Sequence, residues 1–156
     1  MYIPSDDTFL LADCIMQYRG KRALEIGVGS GMLLHVLEKN FQDVAGSDIS
    51  LQALQHCKNR SSAMLACCDA ASAFAGKFDL VVSNPPFHVG KSVDGDIARA
   101  FIERAKYALE PAGRLVLVAN QFLRYDQVLR AAFEQVTCLA SNRSYRVWSA
   151  TNRGVV

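Results

Sequence analysis

Arg22-Ala-Leu-Glu-Ile-Gly27-Val-Gly29-Ser-Gly31, followed by the helical pattern Met32 to Glu38, decides the fold. A short apolar strand runs into a glycine-rich turn, and a helix leaves it. Glycines at such a turn bend the chain tightly and let a ligand approach the main chain closely. The spacing departs from the dinucleotide fingerprint G-x-G-x-x-G, whose third glycine would fall at Met32. Glu25, just ahead of the turn, adds negative charge where a diphosphate would sit. A ligand with a cationic amino-acid moiety suits Glu25 better, which points to S-adenosylmethionine as cofactor rather than NAD. The plainer alternative is a purely structural turn.

Outward from this stretch, short apolar strands alternate with helical patterns, the signature of an α/β fold with a largely parallel sheet. Ser5-Asp6-Asp7-Thr8 predicts a helix start and Gly20 its stop. Asp43–Asp48 reads as the second strand, and Ser50 as the N-cap of the following helix. The third strand, Ala63–Cys68, ends at Asp69. The fourth, Phe78–Asn84, stops at Pro85-Pro86 because proline cannot extend a ladder. Residues 95–109 follow helical spacing, Pro111-Ala-Gly113 is a turn, and Leu115–Val118 is a fifth strand. Tyr125 to Phe133 is helical. Val136–Ala140 and Tyr145–Ala150 are close enough in sequence to pair as an antiparallel hairpin. With 156 residues and no repeat or linker, the expectation is one domain over residues 1–156.

Composition narrows the class. With 51% hydrophobic and 21% charged residues, the chain is neither disordered nor low-complexity. No apolar run approaches the roughly 20 residues of a membrane-spanning helix, and the first residues lack a signal-peptide pattern. Five cysteines without a C-x-x-C pair read as reduced thiols, so a cytoplasmic location without membrane association is expected. No metal-ligand spacing is present. Net charge is only +2, yet from Pro111 onward there are 6 Arg against two acids, Asp126 and Glu134. That bias suits a phosphate backbone, although a solvated arginine surface explains it equally.

Two acids at strand ends extend the ligand reading. Asp48 is placed to accept both ribose hydroxyls, with Ile49 beside it on the cofactor side, and Asp69 to accept from an adenine amine. A helix N-cap or turn acid is the alternative for each. Asn84-Pro85-Pro86-Phe87 is the most informative tetrapeptide. A planar exocyclic amine is a poor nucleophile because its lone pair is delocalised, so it needs acceptors rather than a strong base. The Asn84 amide oxygen and the Pro85 carbonyl supply two, and acceptors placed where positive charge develops stabilise the transition state. Pro86 stiffens the turn. Phe87 can stack on the substrate plane and His88 can touch the substrate or accept a proton; the plainer alternative is a rigid turn with Phe87 in the core and a structural His88.

Together, Glu25-Ile-Gly-Val-Gly-Ser-Gly31 and Asn84-Pro-Pro-Phe87 resemble the class I S-adenosylmethionine-dependent methyltransferases that act on planar amino nitrogens. The resemblance runs over residues 2–150. It implies a Rossmann-like fold with a seven-stranded, mostly parallel sheet of order 3-2-1-4-5-7-6, strand 7 antiparallel and helices on both faces. It also implies that Thr8 closes over the cofactor with Asp7, and that Glu25, Gly27, Gly29, Gly31, Asp48, Ile49 and Asp69 hold it. Asn84-Pro-Pro-Phe-His-Val-Gly90, Val118-Ala-Asn-Gln-Phe-Leu-Arg-Tyr125, Leu139-Ala140 and Tyr145-Arg-Val147 look like the catalytic half of ribosomal RNA guanine-N2 methyltransferases. Tyr2-Ile-Pro-Ser-Asp-Asp-Thr-Phe-Leu-Leu-Ala-Asp13 instead resembles the leader of the HemK-like methyltransferases, which modify a release-factor glutamine. A non-catalytic cofactor-binding assembly subunit is a third alternative, against which the intact tetrapeptide argues. The longer match favours RNA. The guanine-N2 enzymes usually carry a second methyltransferase-like domain in front, so RNA capture here would fall to this domain, a homodimer or a partner protein.

Overall fold

A computed structural model describes residues 5–74, 77–85 and 95–152. In chain order the elements are α1 (Asp6–Ile15), β1 (Gly20–Ile26), α2 (Met32–Glu38), β2 (Phe41–Asp48), α3 (Leu51–Lys58), β3 (Met64–Cys67), β4 (Phe78–Ser83), α4 (Gly95–Ala108), β5 (Leu109–Asn120), α5 (Tyr125–Ala132), β6 (Gln135–Ser141) and β7 (Tyr145–Thr151). The strands form one sheet of order β3-β2-β1-β4-β5-β7-β6. All pairings are parallel except those of β7, which runs antiparallel to both β5 and β6. This is the expected Rossmann-like order.

Alternation along the central strands explains why helices cover both faces, since successive side chains point to opposite sides. Leu80 and Val82 of β4, with Val116 and Val118 of β5, pack against Leu11 and Ile15 of α1 and Leu33 and Leu37 of α2. The intervening Val81, Leu115 and Leu117 pack with Phe101, Ile102 and Ala105 of α4 and Leu129 of α5. Strands buried on both sides therefore read as unbroken apolar runs. No helix among the described residues is long and apolar enough to cross a membrane.

Two local expectations need correction. Helix α1 stops at Ile15, not at Gly20, which instead opens β1. A side chain at Gly20 would sit 3.0 Å from Asp79 Oδ2 and 3.1 Å from the Phe41 ring, and that Asp79 oxygen accepts from the Lys21 and Arg22 amides. Pro111-Ala-Gly113 lies inside β5 rather than between elements. It nevertheless leaves the ladder, because Phe78 pairs with Leu109 and Leu80 with Arg114, so residues 110–113 bulge out.

Candidate active site

Between β1 and β4 the order of connections reverses, and ligands of open α/β sheets bind at the carboxyl ends of strands flanking such a switch point. A cavity of about 430 Å³ lies there, within the usual small-molecule range of roughly 300–1,000 Å³. The end of β1 and the turn after it, from Glu25 to Ser30, form one wall. Asp48 and Ile49 come from the end of β2, and Cys68, Asp69 and Ala70 follow β3. Asn84 and Pro85 follow β4, and Asp7 and Thr8 enter from the first turn of α1. Of the residues singled out from sequence, only Gly31 is described yet absent from the wall. Pro86, Phe87 and His88 lie outside the described residues.

The glycine turn and the acid of β2 form one hydrogen-bonded unit. Gly27, Gly29 and Gly31 have φ of +79°, +48° and +84°, values that favour glycine because it has no Cβ. The Gly27 and Val28 amides both donate to the Ser47 carbonyl, at 2.7 and 3.1 Å. Asp48 accepts from the Gly29 amide at 3.1 Å through Oδ2 and from the Ser50 amide at 2.8 Å through Oδ1. Ser50 also caps α3, its hydroxyl accepting from the Ala53 amide. Gly31 serves the turn into α2: a Cβ there would stand 2.9 Å from Cys57 Sγ.

Glu25 is 2% exposed, and its Oε1 has no hydrogen-bond partner. Burial pushes its carboxyl well above the usual carboxylate range, a hydrogen bond from the Leu34 backbone works the other way, and the nearby Asp48 adds to the rise. A buried acid with an open oxygen on a cavity wall calls for a cationic or N–H donor. An ammonium group satisfies it, and a phosphate would not.

Asn84 leaves the end of β4, and its Nδ2 donates to Asp7 Oδ2 at 2.8 Å. An ionised carboxylate only accepts, so the amide nitrogen must face Asp7 and Oδ1 is turned the other way. Asp7 is itself held through its other oxygen, which accepts from the Ser5 hydroxyl and from the Thr8 amide at 2.8 Å. Across the cavity, Asp69 forms a 2.6 Å ion pair with Arg104 of α4. Ala70, with φ +51°, is fixed by the Ser47 hydroxyl, which donates to its carbonyl at 2.6 Å. Sequence reasoning missed Ser47, Arg104 and the Asp7–Asn84 bond, since only folding joins residues 77 positions apart. Among the described residues no group of three His, Cys, Asp or Glu side chains could hold a metal ion.

Comparison with known proteins identifies the family. The family described as methyltransferase small domain matches residues 6–149. Ribosomal RNA small subunit methyltransferase C of Chromohalobacter salexigens is 37% identical over 136 residues, covering 84% of this chain and 41% of its own length. Its Yersinia pestis counterpart is 31% identical over 156 residues, covering 96% and 45%. The chain thus spans less than half the length of these curated relatives. The 16S rRNA N2 methyltransferase RsmC of T. thermophilus, solved in complex with AdoMet and guanosine, superposes with a TM-score of 0.84 at 28% identity, over 97% of this chain and 44% of that one. The E. cuniculi complex that methylates a translation termination factor contains a chain with a TM-score of 0.78 at 20% identity, over 97% and 98% of the two chains. That likeness concerns the fold.

Proposed function

Because the chain belongs to the methyltransferase small domain family, we propose that it carries a methyl group from S-adenosylmethionine to a planar exocyclic amine, the N2 amine of guanine in ribosomal RNA. The observation that carries this reading is the Asn84 amide, its orientation fixed by Asp7, on the wall of a cavity that also holds a buried acid with one open oxygen. Relatives named for methylating small-subunit ribosomal RNA support the choice of acceptor, as does the AdoMet and guanosine complex of RsmC.

When bound, S-adenosylmethionine would supply an electrophilic sulfonium methyl for direct displacement by the amine nitrogen, the C–S electrons leaving with sulfur and the surplus amine proton passing to solvent. Glu25 receives the ammonium group. Gly27 and Gly29 keep the floor of the cavity free of side chains, and Gly31 maintains the turn. Asp48 accepts from the ribose hydroxyls while Ile49 and Asp69 flank the adenine, and Thr8 closes the far wall. Asn84 Oδ1 and the Pro85 carbonyl accept the two amine hydrogens, stabilising the positive charge that develops on nitrogen. Pro86, Phe87 and His88 complete the acceptor side, with Phe87 stacking on the base. The site thus acts chiefly by positioning the amine for attack.

Glu25→Gln is expected to weaken S-adenosylmethionine binding by about 10- to 100-fold, the worth of a hydrogen bond to a charged group. It also changes stability in a definite direction. The folded-state pKa of Glu25 is raised above 4.5, so the folded chain holds this proton more tightly than the unfolded one. The associated stability is complete below about 4.5 and is lost as pH rises through the folded value. Thermal melts of the ligand-free protein across a pH series should show this loss in the wild type and a flatter profile in Glu25→Gln. A weakened profile of the opposite sign would contradict the assignment.

Transfer of labelled methyl from S-adenosylmethionine to undermethylated ribosomal RNA, with release factor as a parallel acceptor, tests the function. Label is expected in RNA. Label in protein alone would move the acceptor to glutamine.

A further inference from the structure

Beyond the cavity, the carboxyl edge of the sheet carries an exposed ring. Strand β5 ends at Asn120, and in the turn that follows, Phe122 is 84% exposed. Its outward position is built rather than loose. The Phe122 amide donates to Asn120 Oδ1 at 2.9 Å, and the Leu123 amide to the Asn120 carbonyl at 3.0 Å. Leu123 and Tyr125, on either side of Arg124, are buried in the core. On the other side of the ring, the Gln121 amide donates to the Ser144 carbonyl at 2.8 Å, and its side chain donates to the Ser141 hydroxyl and the Asn142 carbonyl. The turn is therefore pinned to the tip of the β6–β7 hairpin.

That tip is positive. Arg143 and Arg146 are exposed, and neither forms an ion pair among the described residues. By contrast, Arg124 and Arg130 are both paired with Asp126. Glu134, the other acid beyond Pro111, precedes the far end of β6. Because β7 is antiparallel, Tyr145 and Arg146 pair with Asn120 and Ala119 at the carboxyl end of β5, the edge on which Asn84 follows β4. At about 4.8 Å per strand, β7 lies roughly 10 Å from Asn84 across the sheet, a distance of a few nucleotides.

We propose that Phe122, Arg143 and Arg146 form the surface that holds the single-stranded RNA flanking the methylated guanine. Phe122 stacks on a flanking base, and the two guanidinium groups take backbone phosphates. An exposed aromatic ring beside unpaired arginines is the combination by which proteins hold single-stranded nucleic acid. An acidic protein surface would match the charge but leave the ring without a planar partner. The inference rests on RNA being the acceptor, as proposed above.

Fluorescence anisotropy with a labelled single-stranded RNA about a dozen nucleotides long, containing one central guanine, tests it on the full chain. Phe122→Ala should weaken binding about fivefold or more at every salt concentration. Arg143→Gln with Arg146→Gln should weaken it and make the log affinity against log salt slope shallower by about 1.4, the loss of two phosphate contacts on a single strand. S-adenosylmethionine binding, measured alongside, should stay within about twofold because these side chains stand outside the cavity. Wild-type RNA affinity in both variants, with methyl transfer to RNA intact, would overturn this surface and leave the proposed function standing. A wild-type chain that binds the cofactor and methylates only protein, without binding the RNA, would overturn both.

Discussion

Asn84→Ala is expected to slow methyl transfer by about 100- to 1,000-fold, the usual cost of removing one preorganised group from a charge-stabilising site. Cofactor affinity should change little, since Glu25 and Asp48, not Asn84, are the side chains assigned to the cofactor. The size of the effect follows from the chemistry: the amide oxygen is one of only two acceptors assigned to an amine that becomes positively charged as it reacts. Asp7 holds Asn84 Nδ2 at 2.8 Å, so on the proposed function it is a positioning residue that works through Asn84. Asp7→Ala should therefore lower the rate in the wild type and have almost no further effect in the Asn84→Ala background. Asp7→Asn, which keeps an acceptor oxygen, should recover part of the loss. Additive effects of the two alanine substitutions would show that Asp7 works independently of Asn84.

Gly46→Ala carries the largest expected stability effect. Gly46 lies in β2, paired with Glu25 on one side and Leu65 on the other. A Cβ there would come within 2.5 Å of Val28 Cγ1, 3.1 Å of Leu34 Cδ2 and 3.2 Å of Leu65 Cδ2. Leucine tips can rotate aside, but Val28 is stiff at χ1 and sits between Gly27 and Gly29 in the turn that forms the cavity wall. The turn itself must move. Overpacking of this kind costs about 1–3 kcal/mol, or a fall in melting temperature of roughly 3–10 °C for a domain of this size. Cofactor binding should weaken with it. Val28→Ala, by removing the methyl groups in the way, should restore much of the stability of Gly46→Ala. A melting temperature unchanged by Gly46→Ala would show that the turn yields freely.

The fold was legible because its signals are local. Strands buried on both faces read as apolar runs, and Met32–Glu38 and the Ser50 cap are found where spacing and side-chain chemistry place them. Boundaries failed where packing overrides propensity. Gly20 looks like a helix stop, but its lack of a side chain makes room for Asp79 and Phe41. Pro111 looks like a break between elements, yet the strand resumes after a four-residue bulge. At the site, the residues that follow strand ends were legible because an α/β sheet brings those ends together. Gly46 was not, because its role depends on Val28, in the turn that follows the neighbouring strand β1. The pairing of Asp69 with Arg104 was equally hidden, since Arg104 reads only as a polar position on an amphipathic helix.

The identity of the methylated product decides whether guanine N2 is the acceptor. Ribosomal RNA lacking its natural methylation, incubated with the chain and S-adenosylmethionine and then digested to nucleosides, should yield N2-methylguanosine. That product should vanish with Asn84→Ala although the variant still binds the cofactor. Methyl groups found on another nucleoside, or on a glutamine amide of release factor with none in RNA, would contradict the account.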